Sequence, residues 1–533
     1  MATLDFKGKS IIQNYHLTVK YHELIPQKAK SLTDKVSLND NLIIHGDNLK
    51  ALKALLPTYA GKVKCIYIDP PYNTGNEKWV YNDNVNSPMM QEWLGKVVDK
   101  EDLTRHDKWL CMIMPRLKLL KELLHREEGI IFVSIDDNEI AGLKFLMDEV
   151  FGAENWFATL TRRAMHTVRN SSKDFNLNSD YVLVYAKSKA WHGISKSRYI
   201  RVPMDKSGNY PHNDNDEKGF YKLDPINARN FYTPYEYTFK NGVLWKSPAG
   251  SYPRYSEETL AEMEDAGEII FTGKEPKAKR YLKDVQEGRP PDVFLSPEDV
   301  AFNSSGTTLL RQILGGGVFP QPKPVELIHY ILQMIRDKNA IILDSFAGSG
   351  TTAHAVLQLN KEDGGKRKFI LIESEDYVEK VTAERVKRII KGIKNSKDKN
   401  LQKGLQGTFS FFELGKPIEM EDILSGKNLP PYQELARYIF YTATGEEFDE
   451  KKINEKKQFI GETGEYEVYL FYNPDVEYLK KTALTLERAK ALGTFKGKRR
   501  LVFAPTKYLD NNQLNELRID FAQLPFEIYK FAE

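Results

Sequence analysis

Short apolar runs that stop at polar turns alternate with longer segments whose apolar positions recur every three to four residues. Residues 41–47 (NLIIHGD) read as a strand running into a turn, and Asp47 then caps a helix over 49–56. Ile66, Tyr67 and Ile68 form a buried strand. Residues 109–124 have the periodicity of a long amphipathic helix, and 129–135 read as a strand ending at Asp136 and Asp137. This alternation over 41–190 predicts a parallel sheet with helical crossovers. It fades over 191–305, where glycine, proline and aromatics punctuate the chain, and returns over 306–395. There Lys323-Pro324 opens an amphipathic helix, residues 340–343 form an apolar strand, and FILIE runs into Glu373. Residues 1–40 are polar and mixed, an N-terminal arm packed over the core or a partner. Residues 396–533 begin with a charged linker and carry strand patterns at EYEVYLFY and RRLVFAP, with helices over 476–492 and 511–517. They predict a separate, small C-terminal α/β domain.

Two of the strand ends carry chemistry. The first is Asp69-Pro70-Pro71-Tyr72, within CIYIDPPYNTG. Consecutive prolines remove two backbone donors and fix two φ angles, giving a rigid loop with a carboxylate, bare carbonyls and an aromatic face. That set suits a planar base with an exocyclic amine. Asp69 and the Pro70 carbonyl can accept its two N–H groups while Tyr72 stacks on the ring. The second is LDSFAGSGTTAHAV at 343–356, a strand, a glycine turn and a helix start. Its small residues, Ala347, Gly348, Ser349 and Gly350, let a ligand approach the backbone closely.

These two strings, in this chain order and far apart, resemble the amino-methylating DNA methyltransferases of the circularly permuted β class. DPPYNTG with YNDN at 81–84 is similar to the modification subunits of Type III restriction-modification systems. WLCMIMPRLKLLKELL, GIIFVSIDDNE, FGAENWF and DYVLVYAKS continue the resemblance over residues 40–395. It implies a Rossmann-like, doubly wound α/β methyltransferase sheet, in two halves at 41–190 and 306–395, with an inserted target-recognition domain at 191–305. It implies S-adenosylmethionine as cofactor, double-stranded DNA as substrate and adenine N6 as acceptor of the methyl group. It further implies a homodimer and a separate helicase-nuclease restriction subunit as partner. By the same resemblance Asp69, Pro70, Pro71 and Tyr72 are catalytic. Phe346 packs on the cofactor adenine and Glu373 takes the ribose. Asp344 and the loop Ala347, Gly348, Ser349, Gly350, Thr351 hold the methionine part, and the Lys323-Pro324 segment shapes that end. Asp47 has two readings, a helix cap alone or a cap that also reaches the cofactor adenine. Cytosine-N4 methylation is the same chemistry on another base, and a non-catalytic DNA-binding specificity subunit is the remaining alternative.

Composition changes this picture little. With 77 basic and 74 acidic residues in 533, the formal charge is +3, so a DNA surface must come from local clustering. Clusters occur inside 191–305: Arg198, Tyr199 and Arg201, then Arg229, Phe231, Tyr232, Tyr235, Lys240, Trp245 and Lys246, then Lys274, Lys277, Lys279, Arg280 and Lys283. The run Lys496, Lys498, Arg499, Arg500 is either a DNA clamp or a solvated turn. The only cysteines, Cys65 and Cys111, lie in apolar runs, as expected of core residues in a reducing cytoplasm. The paired Asp136 and Asp137 read as a strand end or cap, since methyl transfer needs no metal. No membrane-spanning run is seen, and neither a nuclease nor a phosphate-loop motor motif, so restriction would need another polypeptide.

Overall fold

The computed structural model describes residues 4–74, 105–166, 175–188, 202, 210–284, 290–317, 319–394, 396, 398–418, 429–446, 448–493 and 497–524. Gly75, the 81–84 string, Arg198, Tyr199, Arg201 and Lys496 lie outside them. The chain divides into two compact units, 199–291 and the rest.

The larger unit is built on a ten-stranded sheet. Its order is His22–Pro26, Ser410–Pro417, Leu42–His45, Lys368–Glu373, Ile341–Asp344, Cys65–Ile68, Ile130–Ile135, Ser179–Ala186, Trp156–Arg163 and Phe294–Leu295. From Ser410–Pro417 to Ile130–Ile135 all neighbours are parallel. Ser179–Ala186 runs antiparallel to both of its neighbours. Cys65–Ile68 and Ile130–Ile135 are buried at every position, as expected of parallel strands covered by helices on both faces.

Two crossovers leave the middle of this sheet in opposite directions. From Ile341–Asp344 the chain passes through the helix Thr351–Asp363 to Lys368–Glu373. From Cys65–Ile68 it passes through Arg105–Leu123 to Ile130–Ile135. Their loops part where the directions diverge, which is where open α/β sheets bind ligands.

Four readings of the sequence change. The N-terminal arm is partly sheet, because His22–Pro26 pairs antiparallel with Ser410–Pro417. The C-terminal segment is not set apart from the core. Its Ser410–Pro417 strand lies inside the ten-stranded sheet, and its helix Tyr432–Thr444 packs on the helix Asn48–Tyr59. A second sheet follows, Phe459–Glu462, Tyr466–Leu470, Arg499–Ala504 and Ile519–Gln523. One of its faces, with Val468, Leu470, Leu501 and Phe503, joins the main core. The other, with Tyr469, Phe471, Val502 and Ala504, closes a smaller one. The helix expected over 476–492 is two, Val476–Lys481 and Leu486–Ala491, because Thr485 accepts from the Arg488 amide and restarts it as an N-cap.

The 199–291 unit has an antiparallel sheet, Ile269–Thr272, Glu275–Tyr281, Phe220–Pro225 and His212–Asn213. Its small core gathers Ile226, Phe239, Leu260, Ile269 and Ala278. Residues 292–305, expected within the insert, fall with the larger unit instead, where Phe294–Leu295 pairs with Trp156–Arg163. Among the described residues no helix is long and apolar enough to cross a membrane.

Cutting the chain at residue 395 removes the partner of both His22–Pro26 and Leu42–His45 and bares their edges, which then pair with other chains. The truncated protein should aggregate or melt well below the full chain. Soluble yield and circular-dichroism melting check this; a soluble fragment with an unchanged midpoint would show that the strand is dispensable.

Candidate functional site

Ile342 pairs with Cys65 and Leu343 with Ile66, in parallel. The loops that follow these strands therefore leave the sheet side by side, although 275 positions separate Asp69 from Asp344 in the sequence. That register brings the two motifs into one site.

The first loop is held from beneath. Pro70 is buried, while Asp69, Pro71 and Tyr72 are partly exposed. The buried Trp109 donates Nε1–H to the Pro71 carbonyl at 2.7 Å. Asn73 takes a left-handed conformation (φ 59°), which asparagine tolerates better than most residues. Its amide donates to Glu139 Oε1 and to the Arg105 carbonyl. His106 Nδ1 lies 2.7 Å from the same Glu139 oxygen. Burial pushes the Glu139 carboxyl above its ordinary range, and the bonds from Asn73 and His106 work against that shift. Burial, then the Asp69 charge, pushes the Tyr72 phenol far up, so it stays neutral. The Asp69 carboxylate is 3.1 Å from the Lys323 ammonium, which also stands 4.5 Å from the centroid of the Tyr72 ring.

The second loop is pinned by its own acids. Asp344 accepts from the Phe346 amide at 3.0 Å and from the Thr352 hydroxyl at 2.5 Å. Burial raises its carboxyl to about 7, with Asp69 and Glu373 adding to the rise. Glu373 accepts from the amides of Gly348 at 2.7 Å, Ser374 at 2.9 Å and Glu375 at 3.2 Å. Gly348 (φ 51°) and Gly350 (φ 78°) sit in the left-handed region. A Cβ on either would stand 3.2 Å from the Phe319 ring or from the Thr382 methyl, so both turns require glycine. Phe346 and Ala347 are buried against the core, and the Ala347 amide donates to the Ile372 carbonyl. Thr351 begins the following helix and donates to the Lys323 carbonyl at 3.3 Å.

The structure thus brings together Asp69, Pro70, Pro71, Tyr72, Lys323 and the 344–351 loop, with Glu373 one strand away. Lys323 lies against the carboxylate of the first loop rather than within the second. Pro324 caps the helix Val325–Gln333. Asp47 accepts from the Lys50 amide as a helix cap. Among the described residues no cluster of His, Cys, Asp and Glu could hold a metal ion.

Several supporting residues carry no motif in the sequence. Asn48 donates to the Ser345 carbonyl at 2.8 Å and accepts from the buried Arg116 at 2.6 Å. Arg385, fully buried, donates to the hydroxyls of Ser349 (2.8 Å) and Thr351 (2.9 Å) from behind the glycine loop. Burial drops its guanidinium to about 9. The signal available was an arginine inside an otherwise apolar stripe: Arg116 within WLCMIMPRLKLL, and Arg385 beside Val386 and Ile389.

A family model described as DNA methylase matches residues 63–384, which contain both loops. The chain belongs to the DNA methylase family. It is 32% identical over 393 residues to the Type III restriction-modification enzyme StyLTI Mod subunit of Salmonella typhimurium, covering 69% of this chain and 57% of that protein. The EcoPI Mod subunit of Escherichia phage P1 is 30% identical over 483 residues, with 79% and 73% covered. The Type II methyltransferase M.KpnI of Klebsiella pneumoniae is 30% identical over 389 residues, with 67% and 86% covered. This DNA methylase family member therefore spans little more than half the length of the Salmonella relative.

The raised carboxyl of Asp344 makes a pH prediction. Its folded pKa of about 7 lies above the unfolded value of 3.8. The contribution is present below pH 4 and is lost as pH rises through 7. Asp344→Asn keeps an acceptor for the Phe346 amide but cannot ionise. Melting midpoints from pH 4 to 8 should fall less steeply for this variant than for wild type; parallel curves would place the titration elsewhere.

Proposed function

We propose that this chain methylates adenine N6 in duplex DNA, with S-adenosylmethionine as methyl donor, as the modification subunit of a Type III-like system. The observation that carries this reading is the parallel pairing that sets the Asp69 loop beside the 344–351 loop. The residues of the second loop fit the cofactor. Among the described residues Ser345 Oγ is buried without a hydrogen-bond partner, Gly348 and Gly350 let the loop turn tightly beneath the Phe319 ring and the Thr382 methyl, and Glu373 ends the next strand, where an acid suits ribose hydroxyls. Phe346, Ala347, Ser349 and Thr351 complete that cradle, behind which Arg385 stands. The cofactor supplies a sulfonium-bound methyl group whose S–C electron pair stays on sulfur as the N–C bond forms.

The remaining chemistry belongs to the first loop. The N6 lone pair is delocalised into the ring, so the amine is a weak nucleophile. Hydrogen bonds from N6 to Asp69 and to the Pro70 carbonyl favour a tetrahedral nitrogen and aim its lone pair at the methyl group. Alignment at about 3–3.5 Å supplies much of the rest. The methylated amine is cationic and acidic, and its proton passes to Asp69 or to water. Asp69 therefore acts first by orientation. An amine inside a duplex is out of reach, so the base must flip at a cost of a few kcal/mol. Stacking on Tyr72, roughly 1–3 kcal/mol, offsets that.

DNA contact is assigned to the 199–291 unit, with the basic clusters unequal. Lys279 pairs with Asp214 at 2.6 Å and Arg280 with Asp224 at 3.3 Å, and Tyr235 and Trp245 pack on the small core. Arg229, Phe231 and Tyr232 are exposed, Phe231 by 76%, and are the better candidates. The described residues of the C-terminal basic run are spent internally: Lys498 on Glu462, Arg499 on Asp520, and Arg500, buried, on the Gly493 carbonyl. That argues against a clamp, and Arg499 and Arg500 belong to the strand Arg499–Ala504 rather than to a solvated turn. A second kind of subunit completes the proposal, in keeping with relatives named as Mod subunits of Type III restriction-modification enzymes; its helicase-nuclease character and a homodimer of this chain rest on the sequence resemblance alone.

Digesting treated DNA to nucleosides and weighing them tests the reaction. N6-methyl-2′-deoxyadenosine is expected, and N4-methyl-2′-deoxycytidine would transfer the same mechanism to cytosine. Asp69→Ala should abolish the product while cofactor binding by calorimetry persists; more than a tenth of wild-type activity would remove Asp69 from the reacting centre.

Joint Arg229→Ala and Phe231→Ala replacement should weaken DNA binding and make its salt dependence shallower by about 0.9, the slope that one neutralised phosphate contributes. Lys279→Gln with Arg280→Gln should change it less. Equal slopes in all three proteins would return these residues to an ordinary surface role.

A further inference from the structure

The atoms around Lys323 describe a competition. A flipped base needs its exocyclic amine at Asp69 and its ring on Tyr72. The Lys323 ammonium is already there, 3.1 Å from the Asp69 carboxylate and 4.5 Å from the centroid of the Tyr72 ring. It occupies both groups that the acceptor would use, as an ion pair with the Asp69 carboxylate, whose Oδ1 accepts no hydrogen bond among the described residues, and as a cation against the aromatic face. The base and the ammonium cannot share this place. Charge adds a second conflict, because the acceptor nitrogen becomes cationic on methylation and a neighbouring ammonium opposes that.

The backbone at Lys323 is fixed while its stem is not. The peptide before and after it is clamped: a Cβ on Gly306, in the helix Asn303–Leu314, would meet the Pro322 carbonyl oxygen at 2.5 Å and that of Lys323 at 2.8 Å. On the other side the Lys323 carbonyl accepts from Thr351, at the first turn of the helix that follows the glycine loop. Pro324 fixes the next φ. Relief can come only from rotation of the four-carbon side chain. The bond from Thr351 sets the Lys323 backbone against the 344–351 loop, so an anionic group held by that loop would compete with Asp69 for the ammonium.

We propose that Lys323 is a gate on the target-base pocket: its ammonium occupies the place of the flipped base at Asp69 and Tyr72, and a carboxylate bound at the glycine loop draws it away. This rests on the reading of the two loops as target and cofactor sites. It makes binding of the two ligands cooperative, in the order cofactor before flipped base. Lys323 is on this account a positioning residue that acts before methyl transfer.

The test compares DNA affinities by fluorescence anisotropy, using an unmethylated duplex that carries the sequence at which the wild-type protein places its methyl group. Two unreactive ligands are added in turn: sinefungin, which carries the amino-acid carboxylate, and 5′-methylthioadenosine, which lacks it. Wild type should bind the duplex at least about fivefold more tightly with sinefungin, the low end of ordinary coupling between sites, and show little gain with 5′-methylthioadenosine. Lys323→Met should bind the duplex without ligand as tightly as wild type does with sinefungin, and gain nothing further. Lys323→Gln, which keeps a polar head without charge, should also lose the coupling, and guards against a folding defect in the first variant. The proposal is overturned if either variant keeps the full gain, or if wild type gains equally from both ligands. Methylated nucleoside is measured on the same wild-type preparation. Its absence would remove the underlying reading, and the gate with it; its presence with coupling unchanged in the variants would remove the gate alone.

Discussion

The site depends on one backbone pairing. Two strands distant in sequence, Cys65–Ile68 and Ile341–Asp344, run parallel in the middle of the sheet with Cys65 opposite Ile342. Parallel strands deliver their following loops to the same edge. An antiparallel neighbour would have sent the glycine loop to the far side of the sheet and left Asp69 alone. Everything chemical in the account is downstream of that register: the approach of the Asp69 charge to Asp344, the reach of Lys323 to both loops, and the parting of crossovers that opens the crevice.

Polar groups under the surface keep the two loops in place. Trp109 fixes the Pro71 carbonyl, and Glu139 fixes the left-handed Asn73. Asn48 ties Ser345 to Arg116, and Arg385 ties Ser349 to Thr351. A buried donor or acceptor costs free energy when left alone, and these bonds give the Pro71 and Ser345 carbonyls and the Asn73, Ser349 and Thr351 side chains a partner. Such a shell suits a reaction in which orientation does most of the work, since small displacements of the reacting atoms are expensive.

Much of this is legible in the sequence. The apolar runs at 42–45, 65–68, 130–135 and 341–344 are strands because they are short, bounded by turn residues and apolar on both faces. The two loops declare themselves through residues whose chemistry is hard to explain otherwise, paired prolines beside a carboxylate, and glycines where φ must be positive. What stays hidden is long-range. Ser410–Pro417 carries Glu413 and Lys416 among its apolar residues and resembles part of a separate domain, yet its partners lie more than 360 positions away in sequence. Arg116 and Arg385 stand out as arginines within apolar stripes, but the groups they hold, Asn48 and the Ser349 and Thr351 hydroxyls, are set by packing. Lys323 adjoins the cofactor loop in backbone terms, while its ammonium reaches across to Asp69. Side-chain direction of that kind is set by tertiary contact and has no periodic signature.

The most direct test of the juxtaposition is photochemical cross-linking of S-adenosylmethionine bearing a tritiated methyl group, followed by peptide mapping. If the pairing of Cys65–Ile68 with Ile341–Asp344 builds the site, the label should concentrate in the peptide that contains Asp69 to Tyr72, with the remainder in that containing residues 344–351. Label confined to the 199–291 unit, or to the C-terminal sheet, would contradict the account.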